Sequence, residues 1–274
     1  MKKLSKVLVS SLLMGTMLLM AGCNSGEKAP AQNGGNDDQQ QTETKTIIVG
    51  TNPTFAPFEF QDDDGNISGF DIDLITAIAA DQGYEVEIRS MEFDALTQEL
   101  LNGTIDVIAS GMSITKPRLE QIDFSDPYVK ASLAIAVSID NEDINGPDDL
   151  VGKVVAAQIG TTGADQCNAL YEEGKVAEVK LLQDYDLCML ELTNGSVDAV
   201  INDVPVTRAY IDKQPDTIKM TGEAIVSDSY GFGIQKGNEE LKTMLDTGLA
   251  NVMENGTYDK LYQQYGIADE MGAE

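Results

Sequence analysis

The stretch GFDIDLITAIAADQGYEVEIR, residues 69–89, holds one complete unit of the architecture. Asp71 stands where it can cap a helix, and Ile72, Ile75, Ile78 and Ala79 then recur at intervals of three and four, which places them on one helical face. Gly83 ends that helix, because glycine accepts the left-handed backbone that helix C-termini commonly need. A strand, Glu85 to Arg89, follows at once. Upstream, TIIVGT at residues 46–51 reads as a strand of the buried type, and Phe58 to Gly69 as a hairpin turning at Asp64-Gly65. Downstream come a helix from Phe93 to Leu101, closed by Asn102-Gly103, and a strand from Asp106 to Ser110. Strands alternating with helices predict an α/β fold with a parallel sheet covered by helices.

The same pattern starts afresh at Lys153. Val154 to Ala157 is a strand, Gly160-Thr161-Thr162-Gly163 a small-residue turn, and a helix runs on to Tyr171. Then come a strand from Glu178 to Leu182, a helix from Asp184 to Thr193 and a strand from Asp198 to Ile201. Between the two units, Tyr128 to Ile139 is an extended apolar run long enough to cross from one lobe to another. Beyond Met220 the chain reads as a loose polar stretch, then a strand from Tyr230 to Gln235. The final helix carries Leu241, Met244, Leu245, Gly248 and Val252 at helical spacing, and Tyr258, Leu261, Tyr262 and Tyr265 form a last amphipathic turn or two. Two α/β lobes joined by extended crossings enclose a cleft, and polar ligands bind in such clefts, at strand C-termini and helix N-termini.

The N-terminus sets the expected compartment. Lys2, Lys3 and Lys6 precede an apolar run from Val7 to Ala21 that is shorter than the roughly 20 residues of a spanning helix. A basic head, a short apolar stretch and small residues read as an export signal over residues 1–22. Met20-Ala21-Gly22-Cys23 resembles the lipobox of bacterial lipoproteins, in which the cysteine is diacylated and becomes the new N-terminus. Residues 24 to 45 are polar, with little to bury, so 23–45 is expected to be a lipidated cysteine and flexible tether. A chain with 18 Lys and Arg against 46 Asp and Glu, net −28, repels phosphate backbones, which argues against nucleic acid as a partner. The absence of histidine removes Ser-His-Asp and Cys-His catalysis and His-ligated zinc. Cys167 and Cys188 each sit among apolar neighbours at helical spacing; they are either buried free thiols or a disulfide permitted by the export compartment.

Gly69-Phe70-Asp71-Ile72-Asp73-Leu74 is similar to the signature of the polar amino-acid-binding proteins of ABC importers, the extracellular solute-binding proteins of family 3. The similarity continues through Thr54-Phe55-Ala56-Pro57-Phe58, Phe93-Asp94-Ala95-Leu96, Ser113-Ile114-Thr115 with Arg118, and Asp123 to Tyr128. Val154 to Thr162 and Glu254-Asn255-Gly256-Thr257-Tyr258 complete it. The resemblance implies a type II periplasmic-binding-protein fold, two α/β lobes joined by two hinge crossings. Residues 46–130 with 228–274 then form lobe 1 and 131–227 lobe 2. It further implies an extracytoplasmic lipoprotein receptor on the cell membrane. Such a receptor acts as a monomer without cofactor or metal, takes a free amino acid as ligand, and has an ABC permease and ATPase complex as partner. Two other roles occur on this fold, a cyclohexadienyl-dehydratase-like enzyme and a sensory receptor.

A free amino acid is a zwitterion, so its site needs an anion clamp, a cation clamp and a sleeve. In the family's pattern Arg118 takes the carboxylate, since a guanidinium can pair with it bidentately. Backbone N–H groups near Gly111 and Thr162 complete that pocket, helped by the helix that opens after Thr161. Asp203 takes the α-ammonium, with the Ser110 carbonyl and the Ser113 hydroxyl as further partners. Phe55 and Phe93 flank the ligand side chain. Asn52 stands where cationic-amino-acid binders carry an aspartate, and Gln158 and Asn202 fall near the same end, which favours a neutral polar ligand such as glutamine, asparagine or cystine. One decoy is set aside: Asp64 to Gly69 imitates the start of a calcium loop, but its twelfth position is Ile75 rather than glutamate.

Overall fold

The computed structural model describes residues 45–225 and 227–267; the expected export signal, Cys23 and all but the last residue of the tether lie outside them. The chain opens with β1 (Lys45–Thr51), then the short strands β2 (Thr54–Phe55), β3 (Glu59–Gln61) and β4 (Ile67–Ser68). Next come α1 (Phe70–Asp81), β5 (Tyr84–Ser90), α2 (Leu96–Asn102), β6 (Val107–Ile108), α3 (Lys116–Gln121) and β7 (Ile122–Phe124). The long strand β8 (Val129–Ser138) leads to β9 (Val154–Gln158), α4 (Thr162–Glu172), β10 (Glu178–Leu182), α5 (Tyr185–Thr193), β11 (Ala199–Asp203) and α6 (Val204–Lys213). The chain closes through β12 (Ile218–Thr221), β13 (Ser227–Tyr230), β14 (Gly233–Gln235), α7 (Glu239–Glu254) and α8 (Thr257–Gln264).

Two sheets define the two lobes. The first has the order β5-β1-β6-β14-β7, with β1 parallel to β5 and β6 and β14 antiparallel to β6 and β7. The second runs β10-β9-β11-β8-β12, parallel among β9, β10 and β11 and antiparallel at β8. The reading of residues 69–89 holds for the helix face and for its end. Ile72, Ile75, Ile78 and Ala79 of α1 are all buried, and Gly83 adopts φ +77° just past the helix end. The helix α7 lies over α1 so closely that a Cβ on Gly248 would stand 2.7 Å from Ile78 Cγ2. Burial of side chains such as Phe70, Leu74 and Ile78 supplies about 1.5–3 kcal/mol each.

The crossings are a paired ribbon. Residues 129–132 of β8 pair antiparallel with 227–230 of β13, and the remainder of β8 pairs with β11 and β12. The expected boundaries at 130/131 and 227/228 fall inside this ribbon. Where the sequence reads as a loose polar stretch after Met220, the structure has the last residue of β12 and then the whole of β13. Ser227-Asp228-Ser229 has little strand propensity of its own, and the edge of β8 supplies the hydrogen bonds that make it a strand.

Two further expectations are corrected. Asp71 does not cap α1. The cap position is Gly69, two residues earlier, at φ +137°, so Asp71 lies inside the first turn and its carboxylate is buried. Cys167 and Cys188 are free thiols. Cys167 packs with Val155 and Ala157, Cys188 in the cluster that holds Ala156. Alternate residues of a strand face opposite sides, so the sheet separates the two sulfurs. Burial pushes both thiols up to about 12, which keeps them unreactive.

Candidate functional site

Between the lobes lies a tightly closed pocket, walled by Asn52, Phe55, Phe93, Gly111, Ser113 and Arg118 from one side and by Gln158, Thr161, Thr162 and Asp203 from the other. The expected site residues line the pocket, with two exceptions, Ser110 and Asn202. Ser110 is buried behind the pocket wall, its Oγ accepting from the Asn52 N–H and donating to Glu59 Oε1, both at 3.0 Å. Asn202 is buried beside Asp203 but does not wall the cavity.

Each wall residue is fixed by its local chain. Asn52 follows the last residue of β1. Its Nδ2 donates to the Met91 carbonyl and its Oδ1 accepts from Thr54 Oγ1 (2.8 Å) and Gln158 Nε2 (2.9 Å), the last bond spanning the two lobes. Phe55 meets Tyr185 edge-on, ring centroids 6.4 Å apart. Thr115 caps α3, and this turn carries Arg118 into position. Nη1 of Arg118 donates to the Ser113 carbonyl at 2.8 Å, Nη2 to the Gly160 carbonyl at 2.9 Å, and the guanidinium lies over the Phe93 ring. Thr161 caps α4, accepting from Ala164 N, so the first turn of that helix opens on the cavity. Asp203 ends β11, and its carboxylate accepts from the Tyr230 hydroxyl at 2.7 Å.

Gly111 is in place, but its N–H is not free for an anion. It donates to Asp71 Oδ2 at 2.8 Å, which also accepts from the Tyr128 hydroxyl at 2.6 Å. The glycine itself is required, since a Cβ would stand 2.7 Å from the Phe55 ring.

Glu59 escaped the sequence reading. It walls the cavity, is fully buried, and its Oε2 has no hydrogen-bond partner among the described residues. Alternation along Phe58-Glu59-Phe60 puts the glutamate opposite both phenylalanines, which reads as outward; in the fold its Oε1 accepts from Ser110 Oγ and the side chain is buried at the pocket wall. A signal was present in Glu59 standing next to the quoted Thr54 to Phe58 segment.

The electrostatics follow from burial. Asp203 is raised to about 7 by desolvation, opposed by the Tyr230 hydrogen bond and the Arg118 charge. Glu59 is raised well above the carboxylate range, by burial first and then by the nearby charge of Asp71. Desolvation lowers Arg118, with Asp165, Asp203 and Asp228 acting the other way. Among the described residues no carboxylate stands within ion-pair distance of Arg118, and no lysine or arginine within that distance of Asp203. One cavity thus presents a guanidinium and a carboxyl group that do not pair with each other. Beyond Asn52 a wider cleft opens between Met91, Glu92, Asp184, Asp186 and Lys213. No group of His, Cys, Asp and Glu among the described residues could hold a metal ion, and no helix there is long and apolar enough to cross a membrane.

The profile of the bacterial extracellular solute-binding proteins, family 3, matches residues 47–268. The chain belongs to this family. It is similar to a probable histidine-binding protein of Neisseria gonorrhoeae, 32% identical over 94% of each chain. Among solved structures it resembles an ancestral arginine-binding protein bound to arginine, at TM-score 0.77 and 40% identity over 80% of this chain and 97% of the other. A second structure of an ancestral arginine-binding protein, bound to glutamine, matches at TM-score 0.76 and 39% identity with the same coverage. These relatives are binding proteins, and this family member groups with them rather than with enzymes. The two-lobed fold is that of the type II periplasmic-binding proteins.

Proposed function

We propose that this protein captures a free α-amino acid between its lobes and delivers it to the permease of an ABC importer, held at the extracytoplasmic face by lipid on Cys23. The observation that carries the reading is the pair of unpaired charges: Arg118 and Asp203 come from different lobes and wall one cavity. A zwitterion supplies the missing partner to each, its carboxylate to the guanidinium and its ammonium to Asp203. Because one ligand bridges both lobes, it binds the closed form better than the open one, and that differential affinity drives closure. The side-chain end is lined by the amides of Asn52 and Gln158, and burial disfavours the charged form of Glu59, raising it well above the carboxylate range, so the sleeve suits a neutral polar side chain. The relatives' ligands, arginine and glutamine, define the contest to be decided.

A thermal-shift panel of the full chain against the common amino acids and cystine, after unfolding and refolding to strip any carried ligand, tests this. Saturation at about 100 times the dissociation constant adds roughly 2.7 kcal/mol, about 2–4 °C per kcal/mol at this size. A shift of several degrees with glutamine, asparagine or cystine is expected. A shift with arginine, lysine or histidine alone keeps the receptor and overturns the neutral sleeve, and no shift with any amino acid overturns the receptor. Labelling with a palmitate analogue, abolished by Cys23→Ser, checks the anchor.

A further inference from the structure

The carboxylate of Asp203 is not oriented by its own helix. It occupies the capping position of α6, yet its side chain accepts no N–H from that helix, whose second residue is Pro205. Its hydrogen bond comes instead from Tyr230, at the end of β13, 2.7 Å from Oδ1. Tyr230 is fastened to the other lobe. Its carbonyl accepts from Tyr128 N at 3.0 Å, its neighbours bond through Ile114 N to Ser229 O and Gly231 N to Met112 O, and it bridges to Ser113 itself. Its ring is fully buried and edge-on to Phe58, centroids 5.1 Å apart, so the hydroxyl has little freedom to point elsewhere. The chemically similar bond from Tyr128 to Asp71 joins two residues of the first lobe and does not span the cleft.

We propose that Tyr230 is a positioning residue of the amino-acid site: from the first lobe's side of the hinge, its hydroxyl holds the Asp203 carboxylate in the orientation and ionised form that receive the ligand's ammonium. This rests on the reading of Asp203 as the ammonium partner. The ribbon that carries Tyr230 pairs β8 with β13, the two crossings, and from it the Tyr230 hydroxyl reaches across to Asp203. Arg118 from α3, Asp228 and Tyr230 from β13, Glu59 from β3 and Tyr185 from α5 are the titratable groups that act on Asp203 or respond to its charge. Of these, the Tyr230 hydrogen bond and the Arg118 charge favour the ionised carboxylate, while burial and Asp228 oppose it. Removing the phenol therefore moves the carboxyl toward its protonated form.

The test is calorimetric titration of the full-length chain in mild detergent with L-glutamine, L-arginine, L-histidine and L-cystine at pH 6, 7 and 8.5, in wild type, Tyr230→Phe, Asp203→Asn and the double variant. For whichever amino acid wild type binds, Tyr230→Phe is expected to weaken affinity about tenfold at pH 6 and 7. The deficit should shrink to within about threefold at pH 8.5, where Asp203 ionises without help. In the Asp203→Asn background the same substitution should cost less than twofold. A loss equal at all three pH values, or one that persists undiminished in the double variant, marks a packing role and overturns the proposal, as does unchanged affinity. Failure of wild type to bind any of the four amino acids overturns both this proposal and the reading beneath it. Should Tyr230→Phe not fold, the wild-type Tyr230 hydroxyl proton decides by NMR. A slowly exchanging signal lost in Asp203→Asn supports the assignment, and a signal indifferent to that substitution overturns it.

Discussion

Arg118 Nη2 lies 2.9 Å from the carbonyl oxygen of Gly160, in the turn that leads into α4. The guanidinium is therefore held by main-chain acceptors on both sides of the cleft, Ser113 on one and Gly160 on the other, while its charge has no partner among the described residues. Arg118→Ala removes the basic side chain of the cavity wall. Titration calorimetry should show amino-acid affinity falling by at least about 30-fold, the low end of about 2–5 kcal/mol for truncating one side of a buried charged pair. Arg118→Lys keeps the charge but cannot reach both carbonyls and a carboxylate together, so it should recover only part of the loss.

Affinity should depend on pH through Asp203. The free site holds this carboxyl at about 7, and the ligand's ammonium requires it ionised, so the liganded protein binds fewer protons than the free one. Affinity then rises with pH, by about tenfold between pH 6 and pH 8. Calorimetry across that range in wild type and Asp203→Asn checks it: the variant should bind weakly and with a flat profile.

Stability of the ligand-free protein should run the opposite way. Glu59, Asp71 and Asp203 are all raised above their ordinary values by burial. The native state therefore holds protons that the unfolded chain has released, and the stabilisation present near pH 4 is lost as pH rises through about 7. Thermal unfolding should give a higher Tm at pH 5 than at pH 8, and Glu59→Gln, which cannot ionise, should narrow the difference. An unchanged slope in that variant would remove Glu59 from the account.

Gly69 and Gly65 separate strain from space. Both have positive φ, +137° and +83°, but a Cβ on Gly69 would lie 2.1 Å from the Phe58 carbonyl oxygen whereas Gly65 faces open space. Gly65→Ala should cost about 1–2 kcal/mol, the left-handed penalty alone. Gly69→Ala must in addition displace the backbone of Phe58 and the start of α1, and should lower Tm by more than twice as much in a denaturation scan.

Much of this molecule is legible in its sequence because the information is local. The periodicity of Ile72, Ile75, Ile78 and Ala79 locates α1, Asp184 announces the start of α5, and Glu178 to Leu182 has the bounds of β10 as read. The family's motifs are local as well, each confined to a turn or a helix start, which is why they point to Arg118, Thr161 and Asp203, three residues that the fold brings to the walls of one pocket.

What the tertiary structure alone decided are the pairings between segments far apart in the chain. Glu59 is inward because the fold brings Ser110, 51 positions away, against it, and Asp71 serves Gly111 and Tyr128 rather than its own helix. The Gly111 N–H is thereby withdrawn from the site. The residues 227–230 become a strand because β8 offers an edge, and that strand brings Tyr230 to Asp203. Helix and strand periods are set within a few residues by backbone geometry. The partner of a buried charge is set by whatever the closed fold leaves within hydrogen-bond reach, and no spacing along the chain encodes it.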